Sequence, residues 1–544
     1  MARSAAFHKL IRTLRIARFC DRHGLSTGEG LETAAALEAA RQRGASRREV
    51  LTGAVTSLSL GAIGAVVGPV GRVLAAPRPP RGDVAIIGAG LAGLACADEL
   101  RRRGVLATIY EASDRAGGRC FSLGGAFPGP VVFPGQVAER GGEFIDTAHK
   151  TMIGYAQRFG LALEDVTKGH EDVFYHFFGQ RQSESDVVDE FRELVDAMRD
   201  DLRTVGSPTA DSFTPSDAVL DRTNLKEYLE SRRAGDLIKK VIDVAYTIEY
   251  GLEIDRQSCL NFLFFVHADR RSKFTPFGIF SDERYHVIGG NQQIPASLAA
   301  GLGGQIRYGL TLQRARKTAA GLVELTLRRG SSTIRATHDA VVFAIPFSVL
   351  RDVELDASLG LPAWKLFAIR NLAYGTNSKM MLGFNGPMWL ALGSNGQSYS
   401  DLTNHQSTWE TNPSRATSAH AVLTDYSGGD RGARLDPRRV QTEASRFLGD
   451  LDRVYPGALA AATRDARGNL LAHLEHWPSN PLTKGSYTCN QPGYFTTIAG
   501  NEQKPVGNLF FAGEHTSSFY ENQGFMEGGV LSGLRAADEV LRAL

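Results

Sequence analysis

Asp83-Val84-Ala85-Ile86-Ile87-Gly88-Ala89-Gly90-Leu91-Ala92-Gly93-Leu94 is the stretch that decides the fold. Its apolar head predicts a short buried strand, and Gly88, Gly90 and Gly93 follow in G-x-G-x-x-G spacing. From Leu91 to Leu100 the pattern turns helical and closes on Arg101-Arg102-Arg103. Gly88 allows the tight turn, Gly90 lets the backbone approach a pyrophosphate, and Gly93 lets the helix lie close on the strand. The helix N-terminus at Leu91 and Ala92 then faces the negative charge. A second apolar strand, Ala107-Thr108-Ile109-Tyr110, ends in Glu111, 23 residues after Gly88, where a carboxylate accepts hydrogen bonds from an adenosine ribose. The glycines alone are a weak sign. Strand, glycines, helix, strand and acid in this order predict a dinucleotide-binding α/β domain.

At 544 residues the chain is long enough for two domains, one of them interrupted. Hydrophobic residues make up 43% and charged residues 22%, an ordinary globular balance. The formal charge of +2 hides an asymmetry: residues 1–76 carry eleven Lys/Arg against five Asp/Glu, leaving 50 basic and 54 acidic residues for the rest. That near-neutral body offers no electrostatic case for nucleic acid. Cys20, Cys96, Cys120, Cys259 and Cys489 are scattered with no C-x-x-C pair, so neither a disulfide framework nor a metal site is expected.

Ser46-Arg47-Arg48-Glu49-Val50-Leu51 precedes a Gly/Ala-rich, weakly apolar segment that closes on Val73-Leu74-Ala75-Ala76-Pro77. This resembles a twin-arginine export signal, a route that carries folded, cofactor-loaded proteins to the periplasm or beyond. The alternative is an uncleaved leader on a cytoplasmic protein. Glycine and proline interrupt the segment, so no stable membrane span is expected. Residues 1–45 read as two short basic or alanine-rich helices without an assigned role, and Pro77-Arg78-Pro79-Pro80 as a linker.

After Glu111 come Ala112-Ser113-Asp114-Arg115-Ala116-Gly117-Gly118-Arg119 and then Glu139-Arg140-Gly141-Gly142-Glu143-Phe144-Ile145-Asp146. Near the other end stand Phe511-Ala512-Gly513-Glu514-His515 and Gly524-Phe525-Met526-Glu527-Gly528. Together, E-A-x-x-R-x-G-G-R, G-G-x-x-I, F-A-G-E and G-F-M-E-G resemble the flavin-dependent amine oxidase family, which includes monoamine, polyamine and L-amino-acid oxidases. The resemblance covers residues 82–544, dense at both ends and thin between about 150 and 285.

The resemblance implies FAD, with Arg119 as counter-ion to the pyrophosphate and Glu514 meeting the ribityl or phosphate region. Met526 and Glu527 then begin a helix beneath the flavin ring, and Leu312 meets the adenine. Gly141, Gly142, Glu143 and Phe144 join the cofactor set, with Gly513 and Gly524 as turns. Lys379, in Gly375-Thr376-Asn377-Ser378-Lys379-Met380-Met381-Leu382, matches a lysine that hydrogen-bonds a water beside flavin N5 and assists dioxygen reduction. Tyr487 and Phe525 match an aromatic cage before the flavin. Ser486 stands where some members carry a cysteine bonded to the flavin, so FAD is expected to be non-covalent.

The implied fold is an FAD-binding, Rossmann-like α/β domain interrupted by a mixed sheet-plus-helix substrate domain. Residues 1–80 form the leader, 81–148, 286–346 and 480–544 the FAD-binding domain, and 149–285 and 347–479 the substrate domain. Asn224 to Ile242 is the clearest amphipathic helix in the thin region. The expected reaction is oxidative deamination of an amine, with dioxygen reduced to hydrogen peroxide. Venom-type L-amino-acid oxidases carry an arginine where this chain has Phe144, which weighs against an amino acid bound in the same way. Glu143 and Asp146 would favour a cationic amine, unless Glu143 serves the flavin and Asp146 caps the next helix. An L-amino-acid oxidase, a 2-monooxygenase, a homodimer and a non-redox binding protein on the same fold remain open.

Overall fold

The computed structural model describes residues 82–544 apart from 168–171, 268–281, 414, 418 and 518–521, together with residues 16, 17, 20, 26–28 and 31. The twin-arginine stretch and the linker lie outside the described residues.

The elements that position the site are taken in chain order. The first are β1 (Val84–Ile87), α1 (Leu91–Arg102), β2 (Ala107–Tyr110), α2 (Lys150–Arg158) and β3 (Asp172–Phe177). Next come β4 (Gln180–Gln182), α3 (Glu184–Thr204), α4 (Asp236–Tyr250), β5 (Ile306–Arg307) and β6 (Ala340–Phe343). The last are β7 (Ser378–Phe384), β8 (Ser394–Leu402), β9 (His405–Glu410), β10 (Ala421–Ser427), β11 (Ala472–His476), β12 (Leu509–Phe511) and α5 (Met526–Ala543).

The first sheet is all parallel, in the order β12-β6-β1-β2-β5. Val84 faces Ala340 on one side and Ala107 on the other, and Val341 faces Leu509. Val84 and Ile86 pack with α1 and α5 on one face, while Ala85 and Ile87 share a cluster with Leu312, Ala315, Leu325 and Leu327 of a separate four-stranded sheet on the other. Covered on both faces, β1 is buried at every residue, and a continuous apolar run is what such a strand requires. Helix α5 lies along α1 so closely that a Cβ on Gly533 would stand 2.2 Å from the carbonyl oxygen of Ala92. The two motifs at opposite ends of the sequence are thereby brought into one unit.

The second sheet has seven strands in the order β11-β7-β10-β9-β8-β3-β4, antiparallel except where β3 joins β8. Helices α3 and α4 belong to the largest hydrophobic cluster, together with Phe262, Phe264 and Phe265. The fold is thus α/β with a mixed sheet-plus-helix portion, as expected.

One helix was misread from its periodicity. Residues 224–242 do not form one helix: Leu225–Ser231 is capped by the Asn224 side chain, and α4 starts afresh after Gly235. Arg233 at φ 53° and the Gly235 N-cap interrupt the apolar stripe, which continues in phase only by coincidence of spacing.

Candidate active site

The G-x-G-x-x-G glycines divide their tasks in the structure. Gly88 adopts φ 103°, in the left-handed region that favours glycine. A Cβ on Gly93 would fall 2.0 Å from the Gly88 carbonyl oxygen, so helix and strand touch through backbone there. A Cβ on Gly90 would meet nothing within 4 Å, because Gly90 faces an open cleft. Counted out into the solvent at its mouth, the free space of that cleft is about 1220 Å³.

Two helix N-termini converge on it. Gly90 caps α1 and Phe525 caps α5, and neither residue has a side-chain acceptor to spend on the helix N–H groups. A site with uncapped helix ends and a glycine cradle fits an anionic dinucleotide. Of the expected cofactor residues, Gly88, Gly90, Leu91, Ala92, Glu111, Ala112, Arg119, Leu312, Gly513, Glu514, Phe525 and Met526 line the cleft.

Glu111 is already oriented. One oxygen accepts from the Ala89 amide at 2.7 Å, and the other from the Ser113 amide and hydroxyl at 2.8 and 2.7 Å. A carboxylate has about four lone-pair sites, so these bonds leave capacity for a ribose hydroxyl. Arg119 and Glu514, both in the cleft lining, are paired with each other. Arg119 Nη1 donates to Glu514 at 2.8 Å and to the Ser486 carbonyl at 2.8 Å, so its charge is shared within the protein. The other Glu514 oxygen accepts from the Thr488 hydroxyl and the Gly524 amide, both at 2.9 Å. Burial pushes the Glu514 carboxyl up, but Arg119 outweighs it and holds the group below its ordinary range. This pair ties three distant segments together at the cleft floor.

Several expected cofactor residues stand behind the cleft. A Cβ on Gly141 would fall 1.7 Å from the Arg119 carbonyl oxygen, and one on Gly142 2.8 Å from the Met526 sulfur, so both are close-approach positions. Gly524 backs onto the Tyr487 ring. Glu527 turns away: its oxygens accept from the Thr151 and Met152 amides at 2.9 and 2.8 Å and close the N-terminus of α2. The expected capping role of Asp146 is therefore filled by Glu527, while Asp146 accepts from the Glu283 amide at 2.8 Å.

Lys379 lies on β7, one strand in from the edge of the second sheet, facing Tyr426 on β10 and Glu475 on β11 in register, and is 1% exposed. Its Nζ donates to Glu143 at 2.5 Å, to the Gly141 carbonyl at 2.8 Å and to the Glu139 carbonyl at 3.2 Å. A lysine has three N–H donors, and all three are engaged. The other Glu143 oxygen accepts from Trp409 Nε1 at 2.8 Å, and Phe144 lies against the Trp409 ring. Glu143 and Phe144 thus build the wall behind Lys379 and do not line the cleft.

Tyr487 and Phe525 are both buried. The Phe525 ring meets His149 edge-on at 4.9 Å. The Tyr487 hydroxyl shares a 2.9 Å hydrogen bond with Tyr426 and donates to the Glu249 carbonyl on α4 at 2.5 Å. Burial pushes the Tyr426 hydroxyl well up despite its bond to Tyr487, and the carboxylates of Glu249, Glu283 and Glu143 push it further. Ser486 donates to Asn377 at 2.6 Å, and Cys489 is paired in a strand with Ala373. Sequence reading missed Trp477, Asn480 and Thr483, which line the cleft, and the carboxylates of Glu249 and Glu283. A tryptophan seven residues before Lys484-Gly485-Ser486 was the available signal for the first.

A family model described as flavin containing amine oxidoreductase matches residues 91–541. An L-amino-acid oxidase of Naja atra is 24% identical over 477 residues, covering 85% of this chain and 88% of its own. A putative flavin-containing monoamine oxidase of Mycobacterium tuberculosis is 27% identical over 476 residues, covering 85% and 97%. A flavin-dependent L-tryptophan oxidase of Lentzea aerocolonigenes is 27% identical over 491 residues, covering 83% and 96%. Among solved structures, cyclohexylamine oxidase from Brevibacterium oxydans superposes with a TM-score of 0.70 at 22% identity, covering 85% of this chain and 99% of that one. With the glycine cradle, the paired helix ends and a match over most of its length, the chain belongs to the flavin containing amine oxidoreductase family, whose oxidases use FAD.

Proposed function

We propose that the protein oxidises a cationic amine, a diamine, polyamine or basic amino acid, to an imine that water hydrolyses to a carbonyl compound plus ammonia or an amine, with dioxygen reduced to hydrogen peroxide. Gly88, Gly90, Glu111 and the N-termini of α1 and α5 would hold FAD in the cleft, where it would supply the two-electron redox chemistry. The carrying observation is the composition of the Tyr426–Tyr487 wall. The buried carboxyl groups of Glu249 and Glu283 act on the Tyr426 hydroxyl, where as carboxylates they would favour a cation, and Lys379 is already answered by Glu143. A cationic group on the substrate is drawn to such a wall. Tyr487 and Phe525 are buried, Phe525 in the lining of the cleft, where their apolar surface would keep water from the reacting carbon.

Ser486 spends its hydroxyl on Asn377, in keeping with FAD held without a covalent bond. The amine named for one structural neighbour, cyclohexylamine, and the putrescine bound in another, support the amine reading. The L-amino-acid oxidases among the relatives keep an amino-acid substrate as the second reading. Export by the twin-arginine route is proposed on Arg47-Arg48 and the weakly apolar stretch that follows.

The test is a peroxide assay on the FAD-loaded enzyme with a panel of monoamines, diamines, polyamines and all L-amino acids. Peroxide with cationic amines or basic amino acids is the expected outcome. Turnover of neutral amino acids alone, yielding keto acids, would overturn the cationic reading, and amide products would indicate a monooxygenase.

A further inference from the structure

Ile16, Ala17 and Cys20 lie upstream of Arg47-Arg48, in a stretch whose sequence suggests no role. Their exposures are 1%, 0% and 0%, and they share one buried cluster with Val187, Phe191 and Leu194 of α3. Thr27 fixes the placement. Its hydroxyl is hydrogen-bonded to the Asp189 carboxylate and accepts from Arg192 Nη1 at 2.9 Å. Asp189 and Arg192 stand three residues apart and present one face of α3. Leu31 packs, half-buried, against the same cluster.

The sequence around these residues is basic and that of α3 acidic. Between His8 and Arg22 the sequence places Lys9, Arg12, Arg15, Arg18 and Arg22 against one acid, Asp21. Helix α3, ESDVVDEFRELVDAMRDDLRT, carries eight carboxylates and three arginines.

The contact leads inward. Glu190 of α3 accepts from the Ile238 amide at the start of α4 at 2.9 Å, and the Glu249 carbonyl near the end of α4 takes the Tyr487 hydroxyl. We propose that Ile16, Ala17, Cys20, Thr27 and Leu31 are a permanent brace of the substrate half, seated on α3 in the finished enzyme and not discarded with an export leader. A cut between Arg48 and Pro77 would leave the brace bound as a separate peptide. The proposal is independent of which amine is oxidised.

Cys20 reports the docking directly, because all five cysteines are buried. The full-length, FAD-loaded protein is given a short maleimide pulse and mapped by peptide mass. Cys20 is expected to label at least about a hundredfold more slowly than in the urea-unfolded chain, alongside Cys96 in α1. Labelling of Cys20 at the unfolded rate while Cys96 stays protected would overturn the proposal. A second measurement is the intact mass of the enzyme recovered from the cells that make it. The expected species contains residues 16–31, either in one chain or as a peptide that co-elutes in gel filtration. A chain beginning after Ala76 with no such peptide, and with α3 amides exchanging as slowly as in the full-length protein, would overturn it.

Discussion

In the cofactor cleft, three glycines within six residues act through the side chains they lack. At the wall around Lys379, groups meet from far apart: Lys379 and Glu143 are 236 residues apart, Tyr487 and the Glu249 carbonyl 238. The cleft is backbone geometry, which a short sequence can encode by itself. The wall is charge pairing in a dry interior, where the effect of one group depends on which other group arrives beside it. The two regions should therefore fail differently when altered.

The largest loss of stability is expected at the wall. Lys379→Met leaves Glu143 as a buried, uncompensated charge and should cost about 3–5 kcal/mol in urea unfolding. Adding Glu143→Gln should recover most of that loss. If the single variant costs under about 1 kcal/mol, the ion pair is not what organises the wall.

Gly93→Ala comes next, because its Cβ would run into the Gly88 carbonyl oxygen. We expect a loss of about 1–3 kcal/mol together with loss of flavin absorbance from the purified protein, since helix and strand must separate at the cleft. Retention of a full complement of FAD would contradict the close-approach role.

A smaller, pH-dependent effect is expected at Glu139, between the two regions. Burial pushes its carboxyl up to about 7, against the Asn291 amide and Ser122 hydroxyl that favour the charged form. The folded state thus holds the proton to higher pH than the unfolded chain. This contribution to stability is complete below about 4.5, the ordinary value, and is lost as pH rises toward 7. Glu139→Gln should flatten the dependence of Tm on pH in that window. An unchanged profile would mean that Glu139 does not titrate there.

The smallest effect on stability belongs to Gly90→Ala. Its Cβ meets nothing in the protein, so the apoprotein should unfold within about 0.5 kcal/mol of the parent. FAD affinity, followed by fluorescence titration, should nevertheless fall about tenfold or more, roughly 1.4 kcal/mol, because the methyl group occupies the cradle. Equal affinity would remove Gly90 from the cofactor contact. Together, Gly93→Ala and Gly90→Ala separate a glycine needed by the fold from one needed by the ligand.

The sequence by itself determined the dinucleotide domain. The spacing from Val84 to Gly93 and on to Glu111 fixes turn, cradle, helix and ribose acid through local backbone requirements, and those requirements are legible wherever they occur. The segments around Gly513 and Phe525 were legible for the same reason, although their meeting with α1 needed the fold. Tertiary structure alone decided the rest. It gave Arg119 to Glu514, Glu527 to the end of α2, and Lys379 to Glu143, because a charge in the interior takes whichever counter-charge or free amide packing brings within reach. It also decided that Ile16, Ala17 and Cys20 belong to the core, since an apolar face becomes structural only where a second face is there to cover it.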